Sequence, residues 1–327
     1  MATQLGFDIG SNSMKVAVCK GGGLRVEEVR LPENLVDESG SITLPHAFAQ
    51  FLKQQRKELS LPRGKASLVL PPNQVICRLV TMPKMTTDQL MMNLPYEFSD
   101  FVQGAADQYF FDYALCTPGE EGTEEDGVPM MAAAAAKGTL TEYAAMFARA
   151  GIKLRTVLPQ EMALINLVKN RRAGNGVEEF CFVDLGQQAT RITVVWRDRV
   201  QATRQIALGG RNMDLAAADQ FGVDAFLANT YKYGNYQGIQ SSAVVTDVCD
   251  RIAVEILKVI NFYQFTYRNS NLEGIYLVGG GSAMPYLRRS IENTVGLSLL
   301  SPEDLLPGTG DQAADGIFAA GAALGGK

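Results

Sequence analysis

Leu5-Gly6-Phe7-Asp8-Ile9-Gly10-Ser11-Asn12-Ser13-Met14-Lys15-Val16 opens the chain, and its pattern returns as Cys181-Phe182-Val183-Asp184-Leu185-Gly186-Gln187-Gln188-Ala189-Thr190-Arg191-Ile192. In each copy an apolar run delivers an aspartate, a glycine breaks the run two residues later, short polar or small residues follow, and a basic residue opens the next strand. Asp8 is offset from Asp184 by the same interval that separates Gly10 from Gly186. One such hairpin is common in any β protein, because glycine supplies the backbone freedom that a tight turn demands. A single copy reads equally well as a strand-end aspartate capping a turn. Two copies at matched spacing predict a duplicated α/β fold, with two lobes around a cleft and one carboxylate and one hairpin loop from each lobe facing a shared ligand.

The chemistry suited to that cleft is nucleotide polyphosphate. Turn amides around Gly10, Asn12 and Gly186 and the hydroxyls of Ser11, Ser13 and Thr190 can point at phosphate oxygens, while Lys15 adds a mobile positive charge. Asp8 and Asp184 would hold a hydrated magnesium, which keeps several waters and takes one or two carboxylates together with phosphate oxygens. A third motif, Leu277-Val278-Gly279-Gly280-Gly281-Ser282-Ala283-Met284-Pro285, reads as a buried strand, a glycine turn and a helix starting near Met284 or Pro285. Glycines without side chains let a flat ring or sugar lie against the backbone, although a plain strand-to-helix connection also favours them. Upstream, Glu255 and Lys258 share one face of an amphipathic stretch from Val248 to Tyr267. They read either as ligands of the ribose or base or as a solvent-side ion pair.

The two Asp-x-Gly hairpins and the late Gly-Gly-Gly-Ser turn resemble the phosphate-1, phosphate-2 and adenosine motifs of the actin-like ATPase superfamily, whose fold is a duplicated, ribonuclease H-like one. Within it the chain is similar nearly end to end to the FtsA-like PilM family of type IV pilus assembly. Carrying that closer match are Leu31-Pro32-Glu33-Asn34, Val69-Leu70-Pro71, Leu79-Val80-Thr81-Met82-Pro83, Tyr96-Glu97-Phe98, Phe111-Asp112-Tyr113 and Ala207-Leu208-Gly209-Gly210. The resemblance implies ATP and magnesium as cofactors, with Gly209 and Gly210 added to the cofactor residues. It puts Gln160, with Glu161 adjacent, where superfamily ATPases orient the attacking water, although both also suit an ordinary first helical turn. Turnover, if any, would be slow and regulatory. As partner it implies the short N-terminal cytoplasmic tail of the inner-membrane protein PilN, so that the chain would serve as a nucleotide-binding adaptor; self-association is also open. Two other classes stand beside this one. A filament-forming, FtsA-type cytoskeletal protein would be expected to carry a membrane-binding helix, and a small-molecule kinase a positioned aspartate base and commonly a zinc motif.

Composition agrees with a globular protein: 327 residues, 46% hydrophobic and 20% charged. A net charge of −5 argues against a nucleic-acid surface. The short basic cluster Lys169-Asn170-Arg171-Arg172 reads as a helix end. Cys19, Cys77, Cys116, Cys181 and Cys249 are scattered and odd in number, which suits a reducing compartment. The single histidine, His46, reads as a helix-start residue and leaves little room for zinc or Ser-His-Asp chemistry. No apolar run approaches the roughly 20 residues that span a bilayer. The end Gly321-Ala322-Ala323-Leu324-Gly325-Gly326-Lys327 is too small to grip lipid. The protein is therefore expected in the cytoplasm, without direct membrane insertion, and peripheral at the inner face of the membrane through a partner.

Along the chain, residues 1–83 read as the first part of the first core and 84–157 as an inserted α+β subdomain of the kind FtsA relatives carry. Residues 158–178 read as a crossing helix, 179–210 as the start of the second core, 211–270 as its mostly helical insert, and 271–327 as its last part. Within the inserted block the pattern predicts a helix over 86–101, strands over 108–115 and 128–137, a helix over 139–150 and a strand over 154–158. Residues 118–127 read as an acidic hairpin tip. The Ala- and Gly-rich stretch 312–324 predicts a second crossing helix packed closely on the first.

Overall fold

The computed structural model describes residues 3–37, 39–117, 127–171 and 178–325. The acidic tip, apart from Gly127, lies outside the described residues, as does Arg172 of the basic cluster.

The sequence echo becomes an echo of topology. Strands β1 (Gln4–Ile9), β2 (Ser13–Lys20), β3 (Gly23–Arg30), β4 (Lys65–Leu70) and β8 (Lys153–Pro159) make one sheet in the order β3-β2-β1-β4-β8. Strands β9 (Glu179–Leu185), β10 (Thr190–Trp196), β11 (Arg199–Ile206), β12 (Gly274–Val278) and β13 (Ser298–Leu300) make another in the order β11-β10-β9-β12-β13. Each sheet begins with two antiparallel pairings and then adds parallel strands. Even the register repeats, with Asp8 opposite Lys15 and Asp184 opposite Arg191. Both first strands are central and largely buried, as continuous apolar runs must be when helices cover a sheet.

Strands β5 (Val75–Met82), β6 (Tyr109–Leu115) and β7 (Val128–Ala136) form a third, antiparallel sheet in the order β5-β7-β6. Helix α2 (Thr87–Asn93), opened by a Thr86–Gln89 capping box, covers one face around Leu90, Leu94 and Phe98. The helix expected over 86–101 stops at Asn93 and continues as a 3-10 turn over Leu94–Phe98. Pro95 is the reason: it offers no N–H, and its ring clashes with the carbonyl four residues earlier in an α-helix.

The edges expected for the inserted block also differ. Strand β5 precedes residue 84 yet borders the third sheet, whereas β8 runs parallel to β4 in the first. Helix α3 (Lys137–Arg149) likewise belongs to the first lobe, where Tyr143, Met146 and Phe147 join Phe48 and Leu52 of α1 (Pro45–Glu58) in one core. Phe147 meets Phe7 edge-on at 5.1 Å. His46 sits in the first turn of α1 and contacts Arg149, and all five cysteines are free thiols.

Helices α4 (Gln160–Arg171) and α9 (Ile317–Leu324) cross where the lobes meet. A Cβ on Gly321 would lie 2.1 Å from the Ala163 carbonyl oxygen, so only glycine permits this approach. The second crossing helix is shorter than expected, because residues 310–313 form a separate 3-10 turn and Asp315-Gly316 interrupts. The Ala314 carbonyl accepts from the Gly279 amide at 3.2 Å, which commits it to the glycine turn. Four helices complete the second lobe: α5 (Gly210–Phe221), α6 (Ala225–Tyr233), α7 (Ala243–Thr266) and α8 (Pro285–Val295). Ile252, Ile256 and Ile260 of α7 pack there with Leu287 and Ile291 of α8.

Candidate nucleotide cleft

Between the lobes lies a cavity of about 420 Å³. Both hairpin turns are built alike, with the Gly10 amide donating to the Ser13 carbonyl at 3.0 Å and the Gly186 amide to the Ala189 carbonyl at 3.1 Å. The β1–β2 turn brings Asp8, Gly10, Ser11, Asn12, Ser13 and Lys15 to the cavity, and the β9–β10 turn brings Asp184, Gly186 and Thr190. Gly209 and Gly210 at the start of α5, Gly279 to Gly281 after β12, and Gln160 at the start of α4 close the ring. Gly279 has a φ of +78°, and a Cβ there would stand 2.4 Å from Asp184 Oδ1, so this turn needs glycine twice over.

Three expected residues are elsewhere, and one lies behind its loop. Glu255 and Lys258 pair with each other at 2.6 Å, with side chains 40% and 64% exposed, and do not line the cavity. Glu161 turns from the cavity toward Arg191, 3.8 Å away, and burial raises its pKa. Ser282 is buried behind the glycine turn, where its amide donates to the Gly279 carbonyl at 2.9 Å.

Electrostatics centre on Lys15. Its ammonium donates to Ser13 Oγ at 2.7 Å and pairs with Glu28 at 3.4 Å. Burial works against its charge, but Asp8, Glu28 and Asp315 together outweigh burial and raise its pKa. Burial pushes Asp8 up against the pull of Lys15. Asp184 is pushed up to about 7, first by burial and then by the neighbouring Asp8, with Lys15 and Arg191 opposing. A carboxylate pair under this strain is one that a cation would relieve.

The sequence reading missed several cleft residues. Lys232 on α6 lines the cavity from a buried position, held by Asp214 at 2.7 Å and the Gly210 carbonyl at 3.1 Å. Asp214 also accepts from Gln187 at 2.6 Å and from Asn229 at 3.0 Å, which ties the β9–β10 turn to α5 and α6. Tyr233 and Asp315 line the cavity too. Among them only Gln187, inside the second hairpin motif, carried a signal; the others arrive by tertiary packing.

The residues present fit a nucleotide with a hydrated cation. Gln160 Oε1 and Asp315 Oδ1 are buried and have no hydrogen-bond partner, so two acceptors stand ready at the cavity. Among the described residues no group of three or more His, Cys, Asp or Glu side chains could hold a metal. Magnesium needs fewer, since it takes one or two carboxylates and keeps its waters.

Comparison with known proteins agrees with this architecture. The chain is similar to a solved "PilM-PilN type IV pilus biogenesis complex" at 23% identity and a TM-score of 0.82, over 98% of this chain and 97% of that one. It is also similar to the ethanolamine utilization protein EutJ from Carboxydothermus hydrogenoformans, at 15% identity and a TM-score of 0.59, over 99% and 90%. A third likeness is to component A of the (R)-2-hydroxyglutaryl-CoA dehydratase of Acidaminococcus fermentans, at 11% identity and a TM-score of 0.50, over 99% and 97%. These likenesses establish an actin-like fold of two lobes. The family described as "Type IV pilus assembly protein PilM" matches residues 6–302, nearly the whole chain, and the protein therefore belongs to the PilM family of type IV pilus assembly.

Proposed function

We propose that this chain is an ATP-binding adaptor that docks the N-terminal tail of a PilN-like inner-membrane protein and links it to the pilus machine. The observation that carries the docking is the open edge of the third sheet at β6. Opposite α2, Val75 and Ala135 pack into the first-lobe core and Cys77 and Met131 into the cluster shared by the lobes, which leaves β6 at the open margin of the sheet. Phe110 on β6 is 52% exposed, and β6 is an edge strand whose outer side pairs with no described strand. An extended peptide can pair with such an edge and seat an apolar side chain beside Phe110. The solved PilM-PilN complex, similar in fold, supports the choice of partner. Among the described residues no helix is long and apolar enough to cross a membrane, so we place membrane attachment in the partner.

In the cleft, Asp8 and Asp184 would hold magnesium through its waters, and Ser11, Ser13, Lys15 and Thr190 the phosphates. Bound magnesium would supply neutralisation of the polyphosphate charge. The Gly279–Gly281 turn leaves room for the nucleoside against bare backbone. Gln160, with its unpaired oxygen in the cleft, is the residue suited to orienting a water; Glu161, held toward Arg191, is not. The proposal does not require efficient turnover. The filament and kinase readings are not favoured beside the family match.

Titration of a PilN tail peptide against the full chain tests the docking. Phe110→Asp should weaken binding by tenfold or more, about 1.4 kcal/mol, while leaving the stabilisation by magnesium-ATP unchanged. Unaltered peptide affinity would place the groove elsewhere.

A further inference from the structure

The third sheet is entered from β4 and left through α3, both of the first lobe, yet a polar anchor ties it to the second. Asp198, in the turn between β10 and β11, is 6% exposed. Its carboxylate accepts from the Thr117 amide at 2.9 Å and the Thr117 hydroxyl at 2.7 Å, and Lys169 of α4 stands 3.9 Å away. Arg199 Nη2 donates to the Thr117 carbonyl, and Cys116 Sγ donates to the Asp198 carbonyl at 3.7 Å. The hydrogen bonds from Thr117 help hold the Asp198 pKa below its ordinary value although burial pushes the other way. A buried carboxylate that lost these donors would be left uncompensated, so the junction resists separation.

What the junction connects gives it a use. Strand β10 starts at Thr190, in the cleft wall, and ends at Trp196, two residues before Asp198. It lies between β11 and β9, so it is a stiff strut of about 23 Å at 3.3 Å per residue. Thr117 follows β6, the edge strand that carries Phe110. The two struts thus meet end to end at Asp198–Thr117, one reaching into the cleft and the other along the docking edge.

We propose that Asp198 is a positioning residue through which occupancy of the cleft sets the geometry of β6 and hence the affinity of the groove. This rests on the adaptor reading and adds to it the route by which the two sites communicate.

The test compares the parent chain with Asp198→Asn, Thr117→Val and, as the variant that keeps the hydroxyl, Thr117→Ser. Thermal shift with magnesium-ATP and titration with the PilN tail peptide, each alone, first establish the two sites in every variant. The peptide titration is then repeated with saturating magnesium-ATP. In the parent chain and in Thr117→Ser the nucleotide should change peptide affinity by about fivefold. In Asp198→Asn and Thr117→Val that ratio should fall to near one, with the separate affinities kept within about twofold. Hydrogen exchange over residues 109–117 gives a readout without peptide: magnesium-ATP should alter it in the parent and leave it unchanged in the two disrupting variants. A parent ratio of one, or a ratio retained in both disrupting variants, overturns the proposal. Lack of any nucleotide or peptide binding by the parent would instead overturn the adaptor reading on which it stands, and with it this proposal.

Discussion

Asp184 is held at the floor of the cleft with a pKa near 7, against an ordinary value of 3.8. Between those two values the folded chain keeps a proton that the unfolded chain releases. Stability of the ligand-free protein should therefore fall as pH rises from about 4 to about 7 and level off above. Asp184→Asn should flatten that slope, as followed by urea midpoints across the range in the absence of divalent cations. An unchanged slope would mean that another group titrates there. The same carboxylates are the proposed cation ligands. Magnesium-ATP should raise the melting temperature of the parent chain by mass action, and Asp8→Ala or Asp184→Ala should reduce that shift without unfolding the protein. An undiminished shift in both variants would remove the cation role from this pair.

Elements meet most tightly at the crossing of α4 and α9. Seven residues of α9, from Ile317 to Ala323, are buried, and the helix presents Gly321 directly to the Ala163 carbonyl. Gly321→Val should force the helices apart and cost on the order of 1–3 kcal/mol, the usual range for overpacking a filled core. Calorimetry would read this as a lowered melting temperature, and a neutral result would show that the crossing can yield. Because the same crossing joins the lobes, the substitution should also weaken the magnesium-ATP shift. The elements themselves were partly legible. Pro285 opens α8 where the sequence puts a helix start, but the helix over 86–101 was read through Pro95, whose missing donor ends α2.

At the scale of the whole molecule, cleft and groove belong to one thermodynamic cycle. If magnesium-ATP changes affinity for the PilN tail by some factor, the tail must change affinity for magnesium-ATP by the same factor. Paired titrations in both directions should return equal ratios, corresponding to about 1 kcal/mol of coupling. Unequal ratios would reveal a third linked equilibrium, such as self-association. The third sheet is placed for such coupling because its inner face packs against both lobes: Ala135 joins the first-lobe core, while Met131 and Cys116 join the cluster shared with Val195 and Phe180 of the second.

The sequence by itself determined what is local. An Asp-x-Gly hairpin encodes its own turn, so Asp8, Lys15, Asp184 and Thr190 could be assigned to the cleft from spacing alone, and their repetition encoded the duplicated fold. Only the tertiary structure decided which way each helix faces and what distant segments meet. Glu255 and Lys258 share a face of α7, but Ile252, Ile256, Ile260 and Tyr263 bury the other one and leave the pair in solvent. Lys232, Asp315 and the Asp198–Thr117 junction have no sequence signature, since each gains its role from surroundings that only folding brings near. Periodicity specifies that a face exists; packing against the rest of the core, which sums many long-range contacts, decides what that face sees.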